Sequence, residues 1–463
     1  MPHSRTPRLS VLTTIFALLA IHVSALFSLA NDWQAGVAKI KITPEKFMWM
    51  SGYGGRNKPA DGKLTDLWAK ALVIQDGGGK QAALITLDLV GIDRELSQSV
   101  CQALATQCDL NREQIAICTS HTHTGPVVGK NLRSLHYDQV DEKQQALIDE
   151  YAESLQEKIV AVVGSAIKDL QPSQLSWGSG TATFAANRRN NSEAKVPELR
   201  EQGLLKGPFD HDVPVLAVRG NDKGELKALV FGYACHCTVL SLYQWSGDYA
   251  GFAQIELEKV HPDCVALFWA GCGGDQNPLP RRTVELAREY GQRLAAAVNR
   301  VLENDMGVIE GTIDTRYAEV ELPFGEIPTR EQLQQSTQSK NRYEAARAKM
   351  LLEKLKSDGT LASTYPYPVQ CWRLGKEIQF IALGGEVVVD FAIRLKSELR
   401  DTRTWVAGYS NDVMAYIASR RVLLEGRYEG GGAMVYYGQP TVWALESEEV
   451  IVKEVHRQIK LGN

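Results

Sequence analysis

Six short stretches of the chain share one layout, and that layout narrows the fold more than any other feature. Each is an apolar run that stops at glycine and polar residues: "AALITLDLVG" (82–91), "IAICTSHTHTG" (115–125), "ALVFGYACHCT" (228–238), "VALFWAGCGGDQNP" (265–278), "IQFIALGGE" (378–386) and "TWVAGYSND" (404–412). Short apolar runs bounded by turn residues read as buried strands. Helical patterns lie at 93–108, between the first two, and at 284–303 and 387–400, after the fourth and fifth. Strands that are apolar almost throughout, alternating with helices, predict an α/β fold with a mixed, largely parallel sheet core covered by helices. Ligands of such sheets bind beyond the carboxyl ends of the strands. The polar residues of this chain collect there, so the active site is expected at the strand C-terminal ends.

The 463 residues, 44% hydrophobic and 23% charged, are ordinary globular composition. A net charge of -4 gives no basic surplus for nucleic acid. Arg5 and Arg8 precede an apolar run from Leu9 to Leu29, and Ser28 and Ala30 are small residues at signal-peptidase spacing. Residues 1–30 therefore read as a signal peptide and 31–463 as one exported domain, periplasmic or extracellular; the alternative is a membrane anchor at 9–29. No later stretch is long and apolar enough to span a bilayer. Residues 329–357 read as charged and helical, opening with Thr329 and Gln332 at capping-box spacing. Residues 186–209 read as a long polar loop of the kind that builds sites. The eight cysteines show no framework. Most read as small buried residues, with room for a disulfide or two.

Of nine histidines, His136, His261 and His456 lie in polar or helical surroundings and are expected to be solvated. His211 opens a strand and is expected to hydrogen-bond a neighbouring loop. His121 and His123, in "HTHTGP", are two apart and can face one side of a strand. They could be two ligands of one metal or two groups with different tasks. His121 and His236 end apolar strands, and Glu386 ends another. Two imidazoles and a carboxylate make a catalytic zinc set that leaves a position open for water. The glycines of "AGCGGDQNP" either let backbone approach a ligand closely or serve a tight turn with positive φ. Gly-x-Ser-x-Gly is absent, and Cys118 sits inside an apolar run, a poor place for a thiolate.

Together these strand ends resemble the catalytic domain of the neutral/alkaline non-lysosomal ceramidase family. The resemblance runs from "AGVAKIKITP" and "MSGYGGR" through "HTHTGP", "ANRR", "YACHCT", "GDYAGFA", "GGDQNP" and "LGGE" to "AGYSNDVMAYI" and "RYEGG". It implies hydrolysis of the amide of ceramide to sphingosine and fatty acid with one Zn2+ per chain. The ligands it implies are His121, His236, Glu386 and Tyr416. His123 would contact the reacting group, and Arg188 and Tyr428 would donate toward the substrate oxygen. The sequence departs from the family at Asn277, which stands where characterised ceramidases carry a serine important for activity. Asparagine cannot serve as a nucleophile, so water is the expected attacker. No C-terminal β-sandwich domain is read after the catalytic domain, and "GPVV" is bulkier than the family's usual glycine-rich version. The partner implied is a lipid or small-molecule substrate. Two alternatives stand beside this reading: a zinc hydrolase of another amide or ester, and a non-catalytic lipid- or glycan-binding protein.

Overall fold

Eight strands build the larger sheet: β1 (Gln34–Lys41), β2 (Trp68–Gln75), β3 (Gln81–Leu87), β4 (Ile115–Thr119), β5 (Gln171–Thr181), β6 (Asp212–Gly220), β7 (Leu226–Tyr233) and β8 (Val265–Ala270). Their order across the sheet is β8-β7-β6-β5-β1-β2-β3-β4, with the two-residue strand Gly307–Val308 beside β5. A second sheet has the order β9-β10-β11-β12, from Ile313–Pro323, Thr364–Leu374, Ile378–Leu383 and Arg403–Ala407. The computed structural model describes Met1 and residues 33–220 and 224–462. The expected leader at 1–30 lies, apart from Met1, outside the described residues. Among the described residues, no helix is long and apolar enough to cross a membrane.

The mixed α/β architecture is as expected, but its pairing is not largely parallel. Within these two sheets, parallel pairing occurs in three places, β3 with β4, β7 with β8, and β11 with β12. These are the six apolar runs of the sequence. One helix links each pair: Arg94–Cys108, Asp248–Val260 and Val389–Glu398. The rest of both sheets is antiparallel. Tight turns impose this, as at "DGGGK", where the Asp76 carboxylate accepts from the backbone N–H of Gly78 and Lys80 at 3.0 Å each.

The strands are apolar on both sides for a different reason from the one expected. Helices cover only the outer face of each sheet. Arg94–Cys108 and Glu142–Lys168 pack on one half of the larger sheet, and Asp248–Val260 and Val284–Leu302 on the other. Val389–Glu398 and Ser447–Leu461 pack on the second sheet. The inner faces meet through residues such as Leu72, Leu84, Trp269, Trp372, Phe380 and Trp405. Burial on both faces thus reports sheet-on-sheet packing as well as helix cover.

The helical reading of 329–357 holds, whereas 186–209, read as a loop, opens in the strand Ala185–Asn187 and contains the helix Val196–Glu201. Thr329 and Gln332 cap the helix Arg330–Ser336 reciprocally, and a second helix spans Arg342–Asp358. All eight cysteines are free thiols, and all but Cys108 are buried.

Candidate active site

Beyond their carboxyl ends, the three parallel pairs are stitched together by single bridges. Thr122 pairs with Cys237, Cys118 with Ser410, and Gly271 with Ala407. Strands β4 and β8, at opposite ends of the sheet order, lie against each other. This closes the strand ends around one point. Backbone strain gathers at the same place. His121, Asp248, Tyr409 and Asn411 all have positive φ, of 59°, 54°, 50° and 64°. Non-glycine residues adopt this conformation at a cost, and such costs concentrate at functional sites.

The geometry settles which ring nitrogens carry protons. His121 Nδ1 lies 2.6 Å from the Val90 carbonyl oxygen, and His236 Nδ1 lies 2.7 Å from that of Gly273. A carbonyl only accepts, so each Nδ1 is the donor and each Nε2 of the neutral ring is a bare lone pair. Both Nε2 atoms face the same carboxylate oxygen, Glu386 Oε2, at 3.2 and 3.0 Å. That oxygen is buried and receives no hydrogen bond. Three lone pairs converge, and Glu386 Oε2 among them has no donor. A buried arrangement of this kind is costly unless a cation fills it.

The Tyr416 hydroxyl lies 3.2 Å from His236 Nε2 and accepts from Arg188 Nη2 at 3.0 Å. Strands Glu386–Val387 and Tyr416–Ile417 pair in parallel, which sets these two side chains together. His123 Nε2 is 3.1 Å from His121 Nε2. The ring nitrogens of His121, His123 and His236 lie within 4.8 Å of one another and could hold a metal ion. His123 nevertheless differs from the other two, because its Nδ1 is buried without a partner. Ligand histidines almost always fix their second nitrogen on a carbonyl or carboxylate, as His121 and His236 do here.

Electrostatics follow the burial. Burial opposes ionisation of Glu386; protonated His121 and His236 imidazoles beside it would hold its pKa well below the usual carboxylate range, a part that falls to a cation where both Nε2 atoms are bare. Burial and then the Arg188 guanidinium push His236 down to about 4, so its ring is neutral at physiological pH. Burial, with the neighbouring imidazoles, also holds His123 well below its ordinary value. Burial raises Tyr416 far above its ordinary value against the opposing effect of Arg188, which favours the neutral phenol.

Arg188 organises the rim. Its Nε donates to Glu429 at 2.7 Å and its Nη1 to Asn277 Oδ1 at 3.3 Å. Glu429 also accepts from Arg189 Nη1 at 2.6 Å. Tyr428, 45% exposed, packs against Tyr416 with ring centroids 5.3 Å apart, and the Arg188 guanidinium lies 5.5 Å from its ring centre. All eight residues singled out in the sequence are therefore brought together: His121, His123, His236, Glu386, Tyr416, Arg188, Asn277 and Tyr428.

The glycine-rich turn does not owe its glycines to positive φ. A Cβ on Gly274 would sit 2.6 Å from the Glu386 carbonyl oxygen. A Cβ on Gly273 would sit 2.8 Å from the Cys235 backbone N, so the turn lies between the His236 and Glu386 segments, and neither glycine has positive φ. Asp275 then joins three parts. Its carboxylate accepts from Val389 N at 3.0 Å and Asn187 Nδ2 at 2.8 Å, and its carbonyl accepts from Arg188 N at 2.9 Å.

His211 bonds the Ala185 carbonyl, as expected of a loop-holding residue. His136 corrects the sequence reading. It is 1% exposed, and its Nε2 accepts the Gly52 backbone N–H at 3.0 Å. Sequence reasoning also missed Tyr409, whose ring lies 4.3 Å from that of His121, and Tyr437, whose hydroxyl donates to Glu386 Oε1. Tyr409 and Glu429 stand inside quoted motifs and could have been found there. Tyr437 carries no local signal.

The sequence profile described as "Neutral/alkaline non-lysosomal ceramidase, N-terminal" matches residues 33–278, more than half of the chain. The chain belongs to this ceramidase family. The crystal structure of neutral ceramidase from Pseudomonas aeruginosa superposes with a TM-score of 0.69 at 20% identity, over 91% of this chain and 73% of that one. A ceramidase complexed with C2 gives 0.70 at 19% identity, over 92% and 75%. At these identities the likeness is one of fold. No curated protein matches the chain. The family match ends at Pro278, so Glu386, Tyr416 and Tyr428 lie beyond it.

Proposed function

We propose that this ceramidase-family hydrolase is a zinc-dependent amidohydrolase that cleaves the N-acyl amide of ceramide-like lipids to a sphingoid base and a fatty acid. The observation that carries this reading is the convergence of two bare Nε2 atoms and the undonated Glu386 Oε2, with the Tyr416 hydroxyl beside them. This donor set suits zinc, which would be held by His121, His236, Glu386 and Tyr416 and would supply Lewis acidity to an amide carbonyl and a more acidic water.

The chain's own groups have separable tasks in this reading. His123 buries its unpartnered Nδ1 against Gly52 and turns Nε2, the nitrogen 3.1 Å from His121 Nε2, toward the site. It takes a proton from the attacking water and returns one to the departing amine. Arg188, held by Glu429, and the outward-facing Tyr428 donate toward the oxygen on which charge develops. Asn277 has its Oδ1 turned to Arg188, which leaves its amide N–H groups to face substrate. The leader read at residues 1–30 would export the protein.

Purified protein is expected to carry one zinc per chain and to turn over a fluorescent short-chain ceramide. Zinc-free protein whose activity survives His121→Ala would overturn the reading. Asn277 favours one second reading, a related zinc hydrolase with a different amide or ester substrate. Simple acyl esters outpacing ceramide would select it.

A further inference from the structure

Tyr437 bonds Glu386 directly and has no task in the reading above. Tyr437 ends the short helix Met434–Tyr437, which follows the turn carrying Tyr428. Its ring packs with Val90, Leu132 and Leu135. Val90 also supplies the carbonyl that fixes the His121 tautomer. The Tyr437 hydroxyl reaches back to Glu386 Oε1, the oxygen turned away from the histidines.

We propose that Tyr437 is a positioning residue that sets the carboxylate of Glu386, so that Oε2 alone faces His121 and His236. This rests on the zinc reading above. The terminal torsion of a glutamate is broad and nearly two-fold. Packing therefore does not choose which oxygen points inward or hold its plane. A donor on one oxygen does. Glu386 is an acceptor on both sides, and the histidine side offers it no proton. A carboxylate only accepts, so the phenol O–H of Tyr437 is the donor of the pair. The same short helix thus buttresses Glu386 through a hydrogen bond and His121 through Val90.

The test is zinc affinity, measured on the full chain by competition with a chromophoric chelator. Removing a group that orients a ligand typically weakens metal binding about 10–100-fold. Tyr437→Phe keeps the ring and its packing, and is expected to lose affinity in that range with an unchanged circular dichroism spectrum. Tyr436→Phe, one residue away, is expected to bind zinc as the wild type does. The pair is isolated by a double-mutant cycle. In a Glu386→Ala background, where the carboxylate is gone, adding Tyr437→Phe should cost nothing further.

Unchanged affinity in Tyr437→Phe, beside a wild type that binds zinc, overturns the proposal and leaves the zinc reading intact. An equal loss in the Glu386→Ala background overturns it too, since the hydroxyl would then act through the fold. A wild type that binds no zinc overturns the zinc reading and the proposal together.

Discussion

Acidification should weaken this fold through His136, a residue with no place in the chemistry. The ring is buried, and its Nε2 accepts the Gly52 N–H. Burial, reinforced by Arg56 and Arg342, pushes its pKa from 6.5 down to about 3. A group that stays neutral in the folded chain but charges in the unfolded one binds fewer protons when folded. Stability is therefore complete above pH 6.5 and is lost as pH falls from there toward 3. Between pH 7.5 and pH 5 the unfolded ring becomes almost fully protonated and the folded one does not. At 1.36 kcal/mol per pH unit below 6.5, the loss is about 2 kcal/mol. Other buried histidines, His123 and His236, act in the same direction, so the wild type alone does not isolate the effect. His136→Gln supplies a neutral acceptor for Gly52 and should remove that share. Urea unfolding at pH 7.5 and pH 5 reads it directly: the variant should lose about 2 kcal/mol less than the wild type across that interval. Equal losses in the two proteins would refute the reasoning. The effect reaches the site, because Gly52 has φ 93° and a Cβ there would lie 2.4 Å from the His123 ring. The loop that His136 holds is the wall behind His123.

Other predictions concern the site itself. His121→Ala should lower bound zinc from one per chain to none, whereas His123→Ala should keep zinc and lose about 10²–10⁴-fold in turnover; metal analysis beside a ceramide assay separates them. Arg188→Leu should cost about 2 kcal/mol in urea unfolding, toward the low end for a buried ion pair, because Arg189 still pairs with the buried Glu429. Gly274→Ala should destabilise by about 1–3 kcal/mol and weaken zinc binding, since its Cβ would press on the Glu386 carbonyl; an unchanged melting temperature and zinc affinity would count against the close approach described.

The strands that build the site are legible because their burial is extreme. Each of the six apolar runs is a real strand, and they account for every parallel pairing within the two main sheets. The strands that complete the sheets are less visible. Strand β9 reads "IDTRYAEVELP", with buried and exposed positions interleaved. Half-polar strands such as β9, β1 and β5 carry little of the signal that marks a core, and together with β2, β6 and β10 they supply the antiparallel majority. Reading only the apolar runs therefore overstates the parallel character. It also cannot distinguish a strand covered by helices on both sides from one with a second sheet behind it, since both bury two faces.

The site divides in the same way. Residues that would meet substrate or metal stand at strand ends or in short motifs, where glycine and polar residues interrupt an apolar run. Those that hold them are partners chosen by the fold. Glu429 lies 241 residues from Arg188, and Tyr437 lies 51 from Glu386. Nothing local distinguishes Tyr437 from its neighbour Tyr436 in "MVYYG". Only the parallel pairing of Glu386–Val387 with Tyr416–Ile417, and the turn that follows it, brings one of those two hydroxyls onto the carboxylate. His136 fails for a related reason: its own surroundings in the sequence are polar, and its burial is decided by a loop 84 residues away. A polar side chain's neighbours in sequence set its propensity, whereas its pKa and its hydrogen-bond role are set by what folds over it. For His121 and His236 the two agree, since a strand end coincides with the convergence of their Nε2 atoms on Glu386 Oε2. For Tyr437 they do not, which is why the orientation of Glu386 has to be read from the structure.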